Sequence, residues 1–129
     1  MSIKRSLLMP VLGCLLVSLS ACTSPEAVTN VALSNPSQQL TPTASVELLD
    51  DFPNRPYKTI ARLETQGNEA ANSDIFLLEN MRAKARNIGA SAIVVEKKSK
   101  EMVTGTESIY GPSIYRVLRG TAILFTDGN

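Results

Sequence analysis

The chain sets its first 21 residues apart from whatever folds. Lys4 and Arg5 form a short basic region. Residues 7–19 are a nearly continuous apolar run, broken only by Pro10, Gly13 and Ser18, and small residues follow at Ser20 and Ala21. That is the layout of a secretory signal peptide, and the run is too short to cross a bilayer as a helix. Cleavage before Cys22 takes 21 of the 129 residues and leaves 108. This length suits one small domain with a tail. Cys14 leaves with the signal, no cysteine follows Cys22, and the chain has no histidine. The domain must therefore be held together by packing alone, although the compartment it enters permits disulfides.

A general signal needs only small residues before the cut. Here Leu19 stands at −3 and Cys22 at +1, with Ser20 and Ala21 between them. Leu19-Ser20-Ala21-Cys22 resembles the lipobox of bacterial lipoproteins. The resemblance implies a diacylglycerol thioether on the Cys22 sulfur and an acyl group on the new amine. No other cofactor and no metal is expected. One acyl chain holds a protein marginally, at ~0.8 kcal/mol per buried CH2, whereas two or three anchor it stably. Thr23, not aspartate, occupies +2. By the lipoprotein sorting rule this implies an outer-membrane anchor, with the domain in the periplasm or at the cell surface.

Composition narrows the chemistry. Loss of Lys4 and Arg5 reduces the 13 basic side chains to 11, against 12 acidic ones, a formal charge of −1. Near-neutral charge without a basic stripe gives no support for nucleic-acid binding. Zinc, copper and iron sites built on His or Cys are excluded, as are Ser-His-Asp and Cys-His nucleophile systems. The expectation is a protein that is not an enzyme.

Residues 23–43 are rich in Ser, Thr, Asn, Gln and Pro with one charge, Glu26, and read as a flexible linker following the lipidated Cys22. The alternative adds Val28, Val31 and Leu33 to the domain as a strand. The domain itself is expected over 44–127. Val46, Leu48 and Leu49 suggest a first strand, and Pro53 and Pro56 a turn. Residues 57–66 alternate, with Tyr57, Thr59, Ala61 and Leu63 on one face, which predicts a second strand in a hairpin with the first.

Asn72 or Ser73 can cap a helix over 74–88, with Asp74 in its first turn, Arg82, Lys84 and Arg86 in its second half, and Gly89 beyond its end. Ile75, Leu78, Met81, Ala85 and Ile88 would form its apolar stripe. Residues 90–96 read as a buried strand and 97–114 as a polar loop. Residues 115–125 read as a last strand, with Leu118, Gly120, Ala122 and Leu124 on one face. The sum is α+β: a two-layer sandwich of about four strands, β-β-α-β-β, with one main amphipathic helix.

Candidate sites are few. Asp50 and Asp51 are neighbours at a strand end, so they point apart and suit a solvated turn. Lys97, Lys98 and Lys100 could meet anionic lipid or phosphate, but read first as a solvated strand exit. Residues 104–115 carry two glycines without a phosphate-loop lysine. Ile109, Tyr110, Ile114 and Tyr115 in this polar stretch are the candidate protein contact, or else fold back on the sheet.

Two stretches carry a further resemblance. Tyr57-Lys58-Thr59-Ile60-Ala61-Arg62-Leu63-Glu64 is followed by Met81-Arg82-Ala83-Lys84-Ala85-Arg86-Asn87-Ile88-Gly89-Ala90-Ser91-Ala92-Ile93-Val94-Val95. This strand, helix and Gly-Ala-x-Ala strand resemble the small domain of the Rcs envelope-stress sensor lipoprotein and the YbjQ-like proteins, over roughly 44–126. The Rcs relative carries disulfides that this chain lacks. The resemblance implies a shared fold and an envelope location. Anchor, linker and a domain without catalytic side chains together give the expectation of a membrane-anchored, non-enzymatic lipoprotein that binds an envelope protein as sensor, adaptor or assembly accessory. The YbjQ-like side implies a self-assembling, ring-forming homo-oligomer instead.

Overall fold

A computed structural model of the chain describes residues 27–96, 99–103 and 113–127. The elements run β1 (Ala27–Leu33), β2 (Glu47–Leu49), β3 (Tyr57–Asn68), α1 (Asp74–Asn87), β4 (Ala92–Val95), β5 (Ser99–Val103) and β6 (Ser113–Phe125). The class is α+β: one helix lies on one face of a mixed sheet. The strands are ordered β1-β3-β6-β4-β2, and β5 also pairs with β6. The expected count of four is thus too low.

β3 and β6, antiparallel partners from Tyr57↔Phe125 to Asn68↔Tyr115, are the long centre of the sheet. β4 and β5 follow one another along the other edge of β6, at Val95↔Gly120 and Ser99↔Val117. Residues 99–103 and 113–114, which read as part of a loop, are therefore sheet. The expected hairpin does not form. β2 pairs parallel with β4 (Leu48↔Ile93), while β3 takes β1 and β6 as neighbours.

The linker expectation also gives way. Residues 27–33 form an edge strand along β3, from Ala27↔Gly67 to Leu33↔Ala61. Its side chains alternate across the sheet. Ala27 and Val31 pack against the core under the helix, while Val28 points outward and is 45% exposed. Thr29 and Thr65 share a hydroxyl hydrogen bond of 2.9 Å, so the one polar residue on the inner side of β1 meets a polar partner. The segment after β1 is bound too. The Thr43 amide donates to the Arg86 carbonyl at 3.0 Å and its hydroxyl to the Ala90 carbonyl at 2.7 Å.

α1 starts and stops where its sequence directs. Ser73 Oγ accepts from the Phe76 amide at 3.2 Å, a cap that contributes about 1 kcal/mol. Asp74 at the start and Lys84 and Arg86 at the end suit the helix dipole. Beyond Ile88, Gly89 turns left-handed at φ 82°. The Gly89 amide then donates to Arg86 O at 3.1 Å and the Ala90 amide to Ala85 O at 3.0 Å, which is the Schellman pattern.

The buried stripe of α1 is Leu77, Met81 and Ala85, one residue out of phase with the expected one at its start. Ile75 is 75% exposed. The three pack with Leu63, Ile93, Leu118 and Ala122. Each large apolar side chain buried fully there contributes roughly 1.5–3 kcal/mol. In β3 a register shift between Thr59 and Ala61 lets both Ile60 and Ala61 reach the core, which strict alternation forbids. Ala92, Val94 and Ile123 form a second cluster with Leu49 and Phe125, on the side of the sheet away from α1.

Candidate functional site

The anchor residues Leu19, Ser20, Ala21 and Cys22 lie outside the described residues, as do Ile109, Tyr110, Lys97 and Lys98. Of the candidate contact, Ile114 and Tyr115 are described. They sit at the start of β6, with Ile114 39% exposed and Tyr115 half-buried. Asp50 and Asp51 are exposed in the turn after β2. No helix of the described residues is long and apolar enough to cross a membrane.

The sheet face opposite α1 carries the most organised polar chemistry. β3 and β6 bring Glu64 and Arg119 directly across from one another. Arg119 Nε donates to Glu64 Oε2 at 2.8 Å. Arg62 sits two residues along β3, and the Glu96 amide donates to the Arg119 carbonyl at 2.8 Å. With Asn30 and Ala32 of β1 these residues line a cavity of about 390 Å³, open to solvent. Acids and bases alternate across it, so it suits a polar protein segment carrying both charges. Its size falls within the range of ligand pockets, with Val31, Leu63 and Gly120 also in its lining, but it is open rather than enclosed.

The second feature is an aromatic end. Phe52 and Tyr57 stack with ring centroids 5.6 Å apart, and are 52% and 37% exposed. The Arg55 guanidinium lies over the Phe125 ring at 3.8 Å and donates from Nε to Asp127 Oδ2 at 2.8 Å. This hydrogen bond lowers the Asp127 pKa and raises that of Arg55. Aromatic and Arg side chains on a rigid base are what protein interfaces favour. The base here is a turn held at Pro53 and Pro56, and the Thr126 amide donates to Pro56 O at 3.0 Å.

At the other end of the sheet, Arg116 bridges β6 to the start of α1. It meets Asp74 at 2.8 Å and Glu69 at 3.4 Å. Alternation along β6 puts Arg116 and Arg119 on opposite faces, Arg116 towards α1 and Arg119 towards Glu64. Sequence reading misses the Arg62, Glu64, Arg119 grouping, because only the register of β3 on β6 brings those positions together. The signal present in the sequence is Arg62-x-Glu64 on the outward phase of a strand.

No family model matches the chain, and no curated protein matches it. Among solved structures, the crystal structure of the Francisella virulence factor FvfA is similar to this chain at TM-score 0.47 and 20% identity. The match covers 75% of this chain and 97% of that one.

Proposed function

We propose that this chain is a lipid-anchored envelope lipoprotein that binds another envelope protein, as sensor, adaptor or assembly accessory, and performs no catalysis. The observation that carries the reading is Leu19-Ser20-Ala21-Cys22 behind a basic and apolar signal segment. Lipid on Cys22 confines the domain to a membrane surface, and Thr23 at +2 favours the outer membrane. The absence of histidine, and of any cysteine beyond Cys22, from the sequence removes the commonest nucleophile and metal chemistries. Binding surfaces remain: the Phe52–Tyr57 stack and the charged face around Arg62, Glu64 and Arg119. The resemblance of residues 57–64 and 81–95 to the Rcs lipoprotein supports a sensor among the possible roles.

A self-assembling module is the competing reading. It has one specific support, that the seven-residue β1 ends the strand order, so its second edge has no strand neighbour among the described residues.

Two experiments test the proposal. Cys22→Ala is expected to move the protein from the membrane to the soluble fraction, and full membrane retention of that variant defeats the anchor. Photoreactive residues at Phe52 and Tyr57 in cells are expected to trap one envelope protein reproducibly. Trapping only further copies of this chain replaces the adaptor reading with self-assembly.

A further inference from the structure

We propose that β1 pairs with β1 of a second copy of this chain, antiparallel about a two-fold axis at Asn30, so that two domains share one continuous sheet. This goes beyond the envelope-protein reading and needs no lipid on Cys22. Its first support is the phase of the hydrogen bonds. The Ser34 amide donates to the Ile60 carbonyl at 2.8 Å, which extends the β1–β3 register by one residue past Leu33↔Ala61. In an antiparallel pair, bonded and non-bonded positions alternate. Val28, Asn30 and Ala32 therefore turn their backbone groups to β3. Ala27, Thr29, Val31 and Leu33 turn theirs to the open edge, where they meet no partner among the described residues.

The second support is that this edge is unguarded. Sheet edges are commonly blunted by shortness, charge, proline or a bulge. The opposite edge of the sheet has two of these devices. β2 is three residues long and carries Glu47, with Asp50 and Asp51 just beyond it. β1 has none of them. It is seven residues long, holds no charged residue and no proline, and keeps one register from Ala27↔Gly67 to Leu33↔Ala61. Its Val28 and Leu33 are 45% and 41% exposed.

The third support selects the occupant, because β1 complements itself. A two-fold axis at Asn30 sets Ala27 against the partner's Leu33 and Thr29 against the partner's Val31. Every open-edge residue then faces an open-edge residue, and each such pair exchanges two hydrogen bonds. An axis at Val31 would leave Ala27 without a mate inside the strand. On the face under α1, the small Ala27 lies beside the partner's Leu33. On the other face Val28 lies beside the partner's Ala32, and Asn30 meets its own copy, where two side-chain amides can exchange hydrogen bonds. No like charges oppose one another, since residues 27–33 carry none. The helices fit as well. α1 packs on β3 with β1 and β6 on either side. Joining the two edges sets the β3 strands three strand spacings apart, about 14 Å, beyond the roughly 8–10 Å at which helices touch. A two-fold contact closes at two copies and builds no ring. It leaves the Phe52–Tyr57 stack free, because β2, which leads into it, ends the sheet on the opposite side.

Two measurements test the contact on the full chain, purified in detergent from the cells that express it. Position 30 falls at a non-bonded pair on the axis, where Cα atoms lie about 4.5 Å apart, a span that a disulfide bridges. Asn30 is exposed, so Asn30→Cys is expected to fold as the wild type does. In mild oxidant most of it should form a 30–30 disulfide, read by peptide mass spectrometry, while Asn54→Cys stays largely unjoined. The second measurement is hydrogen exchange in the wild type. The amides of Thr29, Val31 and Leu33 are expected to exchange as slowly as those of Val28, Asn30 and Ala32. Slow exchange at the even positions with fast exchange at the odd ones means an open edge and overturns the proposal. A 30–30 disulfide no more abundant than the 54–54 one does the same. Slow exchange at the odd positions without the 30–30 bond also overturns it, because a different strand then covers the edge. Neither readout involves Phe52 or Tyr57, so failure to capture an envelope protein there and failure of the dimer are separate results.

Discussion

Gly120 sets how closely the helix approaches the sheet. A β-carbon there would meet Ile93 Cγ2 at 2.7 Å, Met81 Sδ at 3.1 Å and the Val94 carbonyl oxygen at 3.2 Å. The methionine can move, but the isoleucine and the backbone beside it cannot do so cheaply. Gly120→Ala is expected to lower stability by about 1–3 kcal/mol through overpacking. A urea midpoint that falls at unchanged slope would show it.

Asp127 offers a different reading at the same scale. Its hydrogen bond from Arg55 lowers its pKa from the ordinary 3.8. A depressed folded pKa contributes stability that is present above the unfolded value and is lost as pH falls through the folded one. The pair lies at the surface, so the sensitive observable is the titration of the carboxylate itself. By carbon-detected NMR, Asp127 is expected to titrate below 3.8, and Arg55→Gln is expected to return it towards that value.

Among the elements, β1 separates what the sequence makes legible from what it does not. Residues 74–95 announce themselves locally: Ser73 caps, Gly89 turns, and Ile93-Val94-Val95 can only be buried strand. Each signal lies within a few residues of the structure it specifies. β1 carries only a weak signal: Val28, Val31 and Leu33 allow a strand without requiring one. Its alternation of Ala27, Thr29, Val31 and Leu33 is weak in apolar content and is flanked by Ser, Asn and Pro, so composition reads as linker. The strand exists because β3 offers an open edge and Thr65, 36 residues on, offers a hydroxyl to Thr29, and both are far away in the sequence. The β2–β4 pairing and the Glu64–Arg119 site were hidden for the same reason, since register is a tertiary fact. The bulge at Thr59/Ala61 shifts the phase of β3 locally, which period-two reading cannot anticipate. Val31 is the test of β1. It packs against the core, so Val31→Asp is expected to cost about 1–3 kcal/mol. The wild-type amides of residues 27–33 that pair with β3 should resist hydrogen exchange. Exchange at coil rates with no loss in the variant would restore the linker.

At the scale of the whole molecule, the absence of a crosslink decides how the domain melts. The sequence carries no cysteine after Cys22, so no disulfide can form within residues 27–127. The domain's stability must come from packing on the two sides of the sheet rather than from staples, chiefly from the core beneath α1. That core is continuous: Val46, Ile60, Leu63, Leu77, Met81, Ile93 and Leu118 come from the β2 segment, β3, α1, β4 and β6 and form a single cluster. No element holds a private core that would let it survive alone, and β3 and β6 pair along most of their length. Unfolding is therefore expected as one cooperative transition, with an enthalpy of roughly 60–80 kcal/mol for a domain of about 100 residues. Calorimetric and van't Hoff enthalpies should agree, and the midpoint should not move when reductant is added. Two transitions would mean that the β1–β3 edge melts apart from the helix and β4. A reductant-dependent midpoint would mean that the cysteine at position 22 pairs with a second chain instead of carrying lipid.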